Sequence, residues 1–251
     1  MKFNHFLTSY IPNLSIGFKT HFENMIEQSI FAEECGYNTV SIPEHHLVNL
    51  LMMPSPLQMA VKIATLTKNI NIATSVAVLP LHDMRTYAGE ISTADILTEG
   101  RLIFGVGRGA FEWEMNRLGS PIDTSKEKFI ESLEVLKLLL SKKDVGFKGK
   151  YYNFDPITIM PRPISNPIQF MIAAMDPSSI ENAASQGFHV QSTVLSSSKD
   201  LLIERVNAFK KGKKKLGEKG KLITLSMQRV AYAAKDEKDA EEKNTMAYEY
   251  Y

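Results

Sequence analysis

The sequence predicts an α/β protein built from parallel βαβ units. Two observations carry this. Seven short β-like runs alternate with helical stretches along the 251 residues, and strands separated by a helix are the pattern of parallel neighbours, which need a crossover. The chain also has no repeat of the helix-pair or propeller kind.

Taken in order, residues 2–8 form the first expected strand. Phe22, Met25, Ile26 and Ile30 then recur at helical spacing, with Gly36 as the stop. Residues 38–42 (NTVSI) are the second strand, and 57–67 a helix entered through the extended Pro54-Ser55-Pro56. The Ile- and Val-rich run 69–79 is the third strand, 87–97 a helix and 101–106 the fourth strand. Thr124-Ser125-Lys126-Glu127 has the spacing of a capping box, opening a helix with Phe129, Leu133, Leu136 and Leu140 on one face. A polar, proline-bearing excursion follows over residues 144–167. Residues 168–174 are the fifth strand; Asp176-Pro177 opens a helix ending at Gly187. Residues 188–195 are the sixth strand, 199–216 a helix, 222–233 the seventh strand and 235–251 the start of a further helix. An open doubly wound sheet has about five to seven strands and a (β/α)8 barrel has eight in roughly 250 residues, so counting leaves both open.

Composition narrows the partners. Hydrophobic residues make up 44% and charged residues 23%, values of a folded globular chain. Lys and Arg number 29 against 28 Asp and Glu, for a net charge of +1. No global field draws the protein to nucleic acid or to an anionic membrane, and a small molecule is the expected partner. The run 210–221 holds seven lysines and one glutamate, but at a helix end and without aromatics for base stacking it reads as a solvated surface. The single cysteine, Cys35, excludes an internal disulfide and a multi-thiolate zinc site; closing an apolar-periodic segment, it is expected to be a buried, inert thiol. The N-terminal residues do not read as a signal peptide, and no window reaches about 18 apolar residues, so a cytoplasmic location is expected.

In a barrel the working residues stand at the C-terminal ends of strands. The second expected strand ends in Pro43-Glu44-His45-His46, the third runs through Ser75-Val76 to Pro80 and His82, and the fourth ends in Gly105-Val106-Gly107-Arg108-Gly109. The fifth leads to Ala174-Met175-Asp176-Pro177-Ser178-Ser179, and the sixth contains Gln191-Ser192-Thr193. Adjacent histidines on a loop point in different directions, and no third ligand follows at a familiar spacing, so Glu44-His45-His46 suits acid–base chemistry better than a metal. Residues 105–110 match G-x-G-x-x-A, yet the dinucleotide fingerprint belongs in the first βα turn with a helix starting at once. Here residues 111–114 are expected to lead into a turn, with the helix only at Thr124. Arg108 reads instead as a fixed cation for a phosphate. Asp176-Pro177-Ser178-Ser179 reads as a capped helix start with free N–H groups and hydroxyls, able to share that phosphate provided Asp176 turns back to cap.

Five runs, Glu33-Glu34-Cys35-Gly36-Tyr37, Glu44-His45-His46, Val78-Leu79-Pro80, residues 100–109 and residues 173–187, together resemble the bacterial luciferase-like flavin monooxygenases. They are most similar to the luciferase α-subunit branch, in the same order over almost the whole chain. The resemblance implies a (β/α)8 barrel of the luciferase-like type, as a single domain over residues 1–251, binding reduced FMN (FMNH2) at the strands' C-terminal face. Arg108 would hold the FMN phosphate with the backbone of Met175 and Asp176 and with Ser178 and Ser179, while Gly107 and Ala174 line the same cofactor site. His45 would be the catalytic histidine, flanked by Glu44 and His46. Ser75-Val76 falls where the family has a non-prolyl cis peptide under the isoalloxazine. The implied reaction adds O2 to C4a of the flavin and transfers oxygen from the resulting hydroperoxide to an aldehyde or other small apolar substrate. A flavin reductase would supply FMNH2, and the protein would work as a homodimer or heterodimer, without metal.

The chain departs from the luciferase α-subunit at Gly107, where that subunit has a reactive cysteine, and at Leu81-His82-Asp83-Met84, which lacks the family's usual proline. Oxygenation is therefore implied more strongly than light emission. The same barrel also admits two other readings, an F420-dependent hydride-transfer oxidoreductase and a non-catalytic flavin-binding protein. Because the excursion at 144–167 uses residues outside the repeat, the count reaches about seven βα units. The expectation is a barrel missing its eighth unit, with a truncated or shortened C-terminus.

Overall fold

The structure is a computed structural model and describes residues 1–11, 13–48, 50–194 and 198–250, the last four by their backbone alone. Its strands in chain order are β1 (Asn4–Phe6), β2 (Thr39–Ile42), β3 (Asn71–Thr74), β4 (Ala77–Val78), β5 (Leu102–Gly107), β6 (Val145–Lys148), β7 (Asn153–Ile157), β8 (Gln169–Ala173), β9 (His189–Thr193) and β10 (Leu225–Gln228). The helices are α1 (Phe18–Glu34), α2 (Pro56–Ala64), α3 (Met84–Leu97), α4 (Glu112–Arg117), α5 (Ile122–Ser141), α6 (Pro177–Ser185), α7 (Lys199–Lys215) and α8 (Glu237–Tyr250).

One parallel sheet runs β1-β2-β3-β5-β8-β9-β10, with β4 continuing alongside β5. Register is parallel throughout, for example Val40↔Ile72, Val106↔Ile172 and Ile172↔Val190. Seven strand positions with helices between them make a nearly closed barrel, and among the described residues a full eighth βα unit is lacking. All four residues of β2 are buried, as a strand covered on both faces requires. Phe104 of β5 is fully buried between the edges of Tyr87 and Phe170, each with its ring centre 5.9 Å away. Gly105 is obligatory at this crowded point, because a Cβ there would fall 2.0 Å from the carbonyl oxygen of Thr74.

Several local expectations are corrected. The seventh strand closes at Gln228 rather than 233: Gln228 pairs with Thr193, the last residue of β9, so the ladder has no further partner. Leu195, the expected end of the sixth strand, and Tyr251 lie outside the described residues. Helix α5 begins at Ile122, capped by Pro121, and Thr124 lies inside its first turn, where its hydroxyl donates to the Pro121 carbonyl instead of capping. The segment after Arg108 contains a helix, α4, where a turn was expected.

Residues 144–167 are less polar in use than in composition. They form the antiparallel β6–β7 hairpin, whose Phe147 and Phe154 rings stack. The Glu131 carboxylate on α5 accepts the N–H groups of Lys150, Tyr151 and Tyr152 and holds the turn. Cys35 is exposed, because it occupies the C-cap of α1, beyond Ala32, the last residue that the helix buries. Among the described residues no helix is long and apolar enough to cross a membrane.

Candidate active site

Parallel strands deliver their C-terminal residues to one mouth, and there the chain spends two buried carboxylates on three histidines. Glu44, immediately past β2, is almost fully buried. Its Oε1 accepts from His46 Nε2 at 2.9 Å and from His82 Nε2 at 2.7 Å, and its Oε2 from the Val78 N–H at 2.8 Å. Burial pushes the Glu44 pKa up, but the bonds from His46, His82 and Val78 outweigh it and hold the carboxyl below its ordinary value. The same hydrogen bond, donated by His46 to Glu44, raises the pKa of His46, against a smaller opposing effect of burial. His82 lies flat on Tyr87, with ring centres 3.8 Å apart and an interplanar angle of 2°. The Tyr87 hydroxyl is buried without a hydrogen-bond partner among the described residues, and burial drives its pKa well up.

His45 turns the other way from His46, as adjacent loop residues do. Its Nδ1 lies 3.0 Å from Glu114 Oε2, and the other oxygen of the buried Glu114 accepts the His46 backbone N–H. Phe111 stacks on the His45 ring at 4.7 Å, and the His45 N–H donates to the Met53 carbonyl. Short helix α4 is thus what brings both Phe111 and Glu114 to the loop after β2.

The expected cofactor residues meet only in part. The Ser75–Val76 peptide is cis. Across the barrel from it, Gln191 of β9 donates to Ser75 Oγ at 2.6 Å. A Cβ on Gly107 would fall 2.6 Å from Val76 Cγ2 and 3.8 Å from the Cβ of Ala173, so the glycine admits the Val76 side chain and ties β4, β5 and β8 together. Buried Ala174 donates its N–H to the Gln191 carbonyl. The Met175 carbonyl accepts from Arg205.

Arg108 is exposed and makes no ion pair with a described residue. It is not joined to the start of α6, where Asp176 caps the helix. Asp176 Oδ1 accepts from the Ser179 N–H at 2.8 Å and the Ser178 hydroxyl at 2.7 Å. The side chains of Ser179 and Ser178 first, and then the Ser179 N–H, lower the Asp176 pKa to about 2 against a smaller opposing effect of burial. The carboxylate does turn back to cap, as an anion site there requires, but it also takes up two of the groups expected to bind the phosphate.

The sequence places His82 and Gln191 near strand ends without giving either a role, and it does not single out Phe111 or Glu114. His82 stood beside the third strand and carried a signal in that position. Glu114 carried none, being 69 residues from His45 in a segment read as a turn.

The buried acid–base pairs and the exposed Arg108 thus stand at the C-terminal ends of the strands of a parallel α/β barrel, the face at which such barrels carry their sites. The family model described as luciferase-like monooxygenase matches residues 1–251. Protein y4vJ of Sinorhizobium fredii (strain NBRC 101917 / NGR234) is 32% identical over 214 residues, 85% of this chain and 61% of that protein. The oxygenase component of a flavin-dependent trigonelline monooxygenase of Acinetobacter baylyi is 28% identical over 238 residues, 93% of this chain and 66% of that protein. The crystal structure of monooxygenase RslO1 from Streptomyces bottropensis superposes with a TM-score of 0.88 over 99% of this chain and 77% of that one, at 24% identity, a likeness of fold. The chain belongs to the luciferase-like monooxygenase family. It spans less than two-thirds of the length of these two curated relatives.

Proposed function

We propose that this chain provides the oxygenating site of a flavin-dependent monooxygenase that uses reduced FMN and O2 on an aldehyde or other small apolar substrate. The observation that supports this best is the pairing of His45 with buried Glu114 beneath Phe111 at the same mouth as Arg108, a cation without an ion-pair partner among the described residues. The residues present suit a flavin mononucleotide. Arg108 is a guanidinium without a competing carboxylate among the described residues, and α6 offers an N-terminus whose own acid is folded back as a cap. Reduced flavin bound there would supply the electrons that activate O2 for transfer of one oxygen atom.

The chain's own part is binding, orientation and proton handling. Arg108 would hold the phosphate, with the backbone at Met175 and Asp176 and the hydroxyls of Ser178 and Ser179 as further donors, Ser178 giving up its bond to Asp176. Ser75, pinned by Gln191, and Val76, seated against Gly107, are the residues that would support the ring system. His45 receives or returns a proton at Nε2, which makes no hydrogen bond to a described residue; its side chain keeps 17% of its surface open. Phe111 excludes water from one face of that imidazole. Glu44 holds His46 and His82 beside it. A separate flavin reductase delivers the reduced cofactor, as the description of the Acinetobacter relative as an oxygenase component suggests for that protein.

The test is anaerobic titration with FMNH2 and with reduced F420, followed by exposure to 18O2 with a panel of aldehydes and ketones. Tight FMNH2 binding and 18O in the organic product are expected. Release of peroxide alone, with His45→Ala leaving every rate unchanged, would overturn the reading in favour of a flavin binder. Selective binding of F420 would point to hydride transfer instead.

A further inference from the structure

We infer that Glu114 is the positioning residue that sets the tautomer of His45, placing the ring proton on Nδ1 and leaving Nε2 as the proton acceptor at the mouth. The inference rests on the reading of His45 as the proton-handling group, but its geometry stands apart from that reading. The two oxygens of Glu114 each face a group that needs an acceptor. One takes the backbone N–H of His46, which can only donate; the other faces His45 Nδ1 at 3.0 Å. A carboxylate offers acceptors at both ends, so Nδ1 must carry the hydrogen, and a neutral imidazole then has its lone pair on Nε2. Glu114 is buried, so water does not compete for either oxygen, and Phe111 stacked on the ring at 4.7 Å limits its rotation. Helix α4 is anchored where it must be: Met115, the next residue, is fully buried and fills the space beside Gly109, whose absent Cβ would fall 2.4 Å from its sulfur.

Glu114→Gln separates shape from chemistry. An amide has one accepting and one donating end. The His46 N–H still requires the oxygen, which turns the amide NH2 toward His45 and makes Nδ1 the acceptor. The ring proton must then move to Nε2, and the base at the mouth is lost while volume and fold are kept.

The experiment is 15N NMR of the histidine rings in the full chain at a pH where His45 is neutral, with the His45 signals identified by their loss in His45→Gln. The native protein is expected to show His45 protonated on Nδ1. Glu114→Gln is expected to show it protonated on Nε2 and to lower kcat/KM for oxygenation by about 100-fold, with little change in flavin affinity. Glu114→Asp, which keeps two acceptors, is expected to restore the native tautomer and part of the activity. A native His45 protonated on Nε2 would overturn the inference without any variant, and so would a folded Glu114→Gln that keeps the proton on Nδ1. A native Nδ1 tautomer that switches in Glu114→Gln, in a protein that oxygenates nothing, supports the positioning and rejects the monooxygenase reading.

Discussion

The two sides of the barrel mouth treat charge in opposite ways. On the side formed by β2, β4 and α4, Glu44 and Glu114 are buried and each accepts from at least two donors. On the side formed by β5, β8 and α6, Arg108 and Asp176 are exposed; among the described residues Arg108 has no ion-pair partner, and Asp176 accepts from its own helix start. A carboxylate out of water is tolerable only with its hydrogen bonds made, so the first side has to be complete before any ligand arrives. The second side remains solvated, which suits the anion site proposed for it. The contrast teaches that substitutions on the histidine side should strike stability and chemistry together, whereas those on the arginine side should strike binding with little effect on the fold.

The largest effect is expected from Glu44→Ala, which strands His46, His82 and the Val78 N–H in one stroke. A loss on the order of 3 kcal/mol is expected, read from urea unfolding midpoints; a loss below about 1 kcal/mol would show that the buried side is not the rigid one. Next comes Gly107→Ala. Its methyl group would collide with Val76 Cγ2 at 2.6 Å, and a cost of about 1–3 kcal/mol is expected together with weakened flavin binding, checked by denaturation and flavin fluorescence. Asp176→Ala removes an N-cap and should cost about 1 kcal/mol. Arg108→Ala sharpens the comparison most: stability should stay within about 0.5 kcal/mol, while FMNH2 affinity falls at least about tenfold, measured by anaerobic titration.

The pH dependence separates the two sides as well. The Glu44 pKa is lowered from 4.5, so its stabilisation is present above that value and lost as pH falls through the lower folded value. The His46 pKa is raised from 6.5, so its contribution is complete below 6.5 and is lost as pH rises through the higher folded value. The pair should thus weaken on both the acid and the alkaline side. The Asp176 cap, with its pKa lowered from 3.8 to about 2, should fade only as pH falls through that interval. Unfolding midpoints over pH 2–9, compared between the native chain, Glu44→Gln and Asp176→Asn, read these windows directly.

Much of the scaffold was legible because it follows local rules. The seven parallel strand positions coincide with the seven β-like runs, and Asp176-Pro177 caps α6 as its residue types demand. The errors fell where neighbours decide. β10 stops when β9 has no residue left to pair, Thr124 loses its expected cap to Pro121, and Cys35 is exposed because α1 ends just past the last turn it buries. Within the site, Glu44, His45, His46 and Arg108 were chosen from their positions at strand ends. Glu114 was not, because a glutamate in a polar stretch looks like any solvated side chain until the fold carries it inside.

What this sequence determined by itself was the alternation of strand and helix and the set of residues that emerge at the strand ends, since hydrophobic period and turn chemistry act over a few residues. Only the tertiary structure decided which carboxylate meets which histidine. His45 takes Glu114 from 69 residues away, His46 shares Glu44 with His82, and Ser75 reaches Gln191 across 116 residues. Such partners are chosen by burial, where a polar group without one is costly, and burial is a property of the assembled barrel rather than of any segment in it.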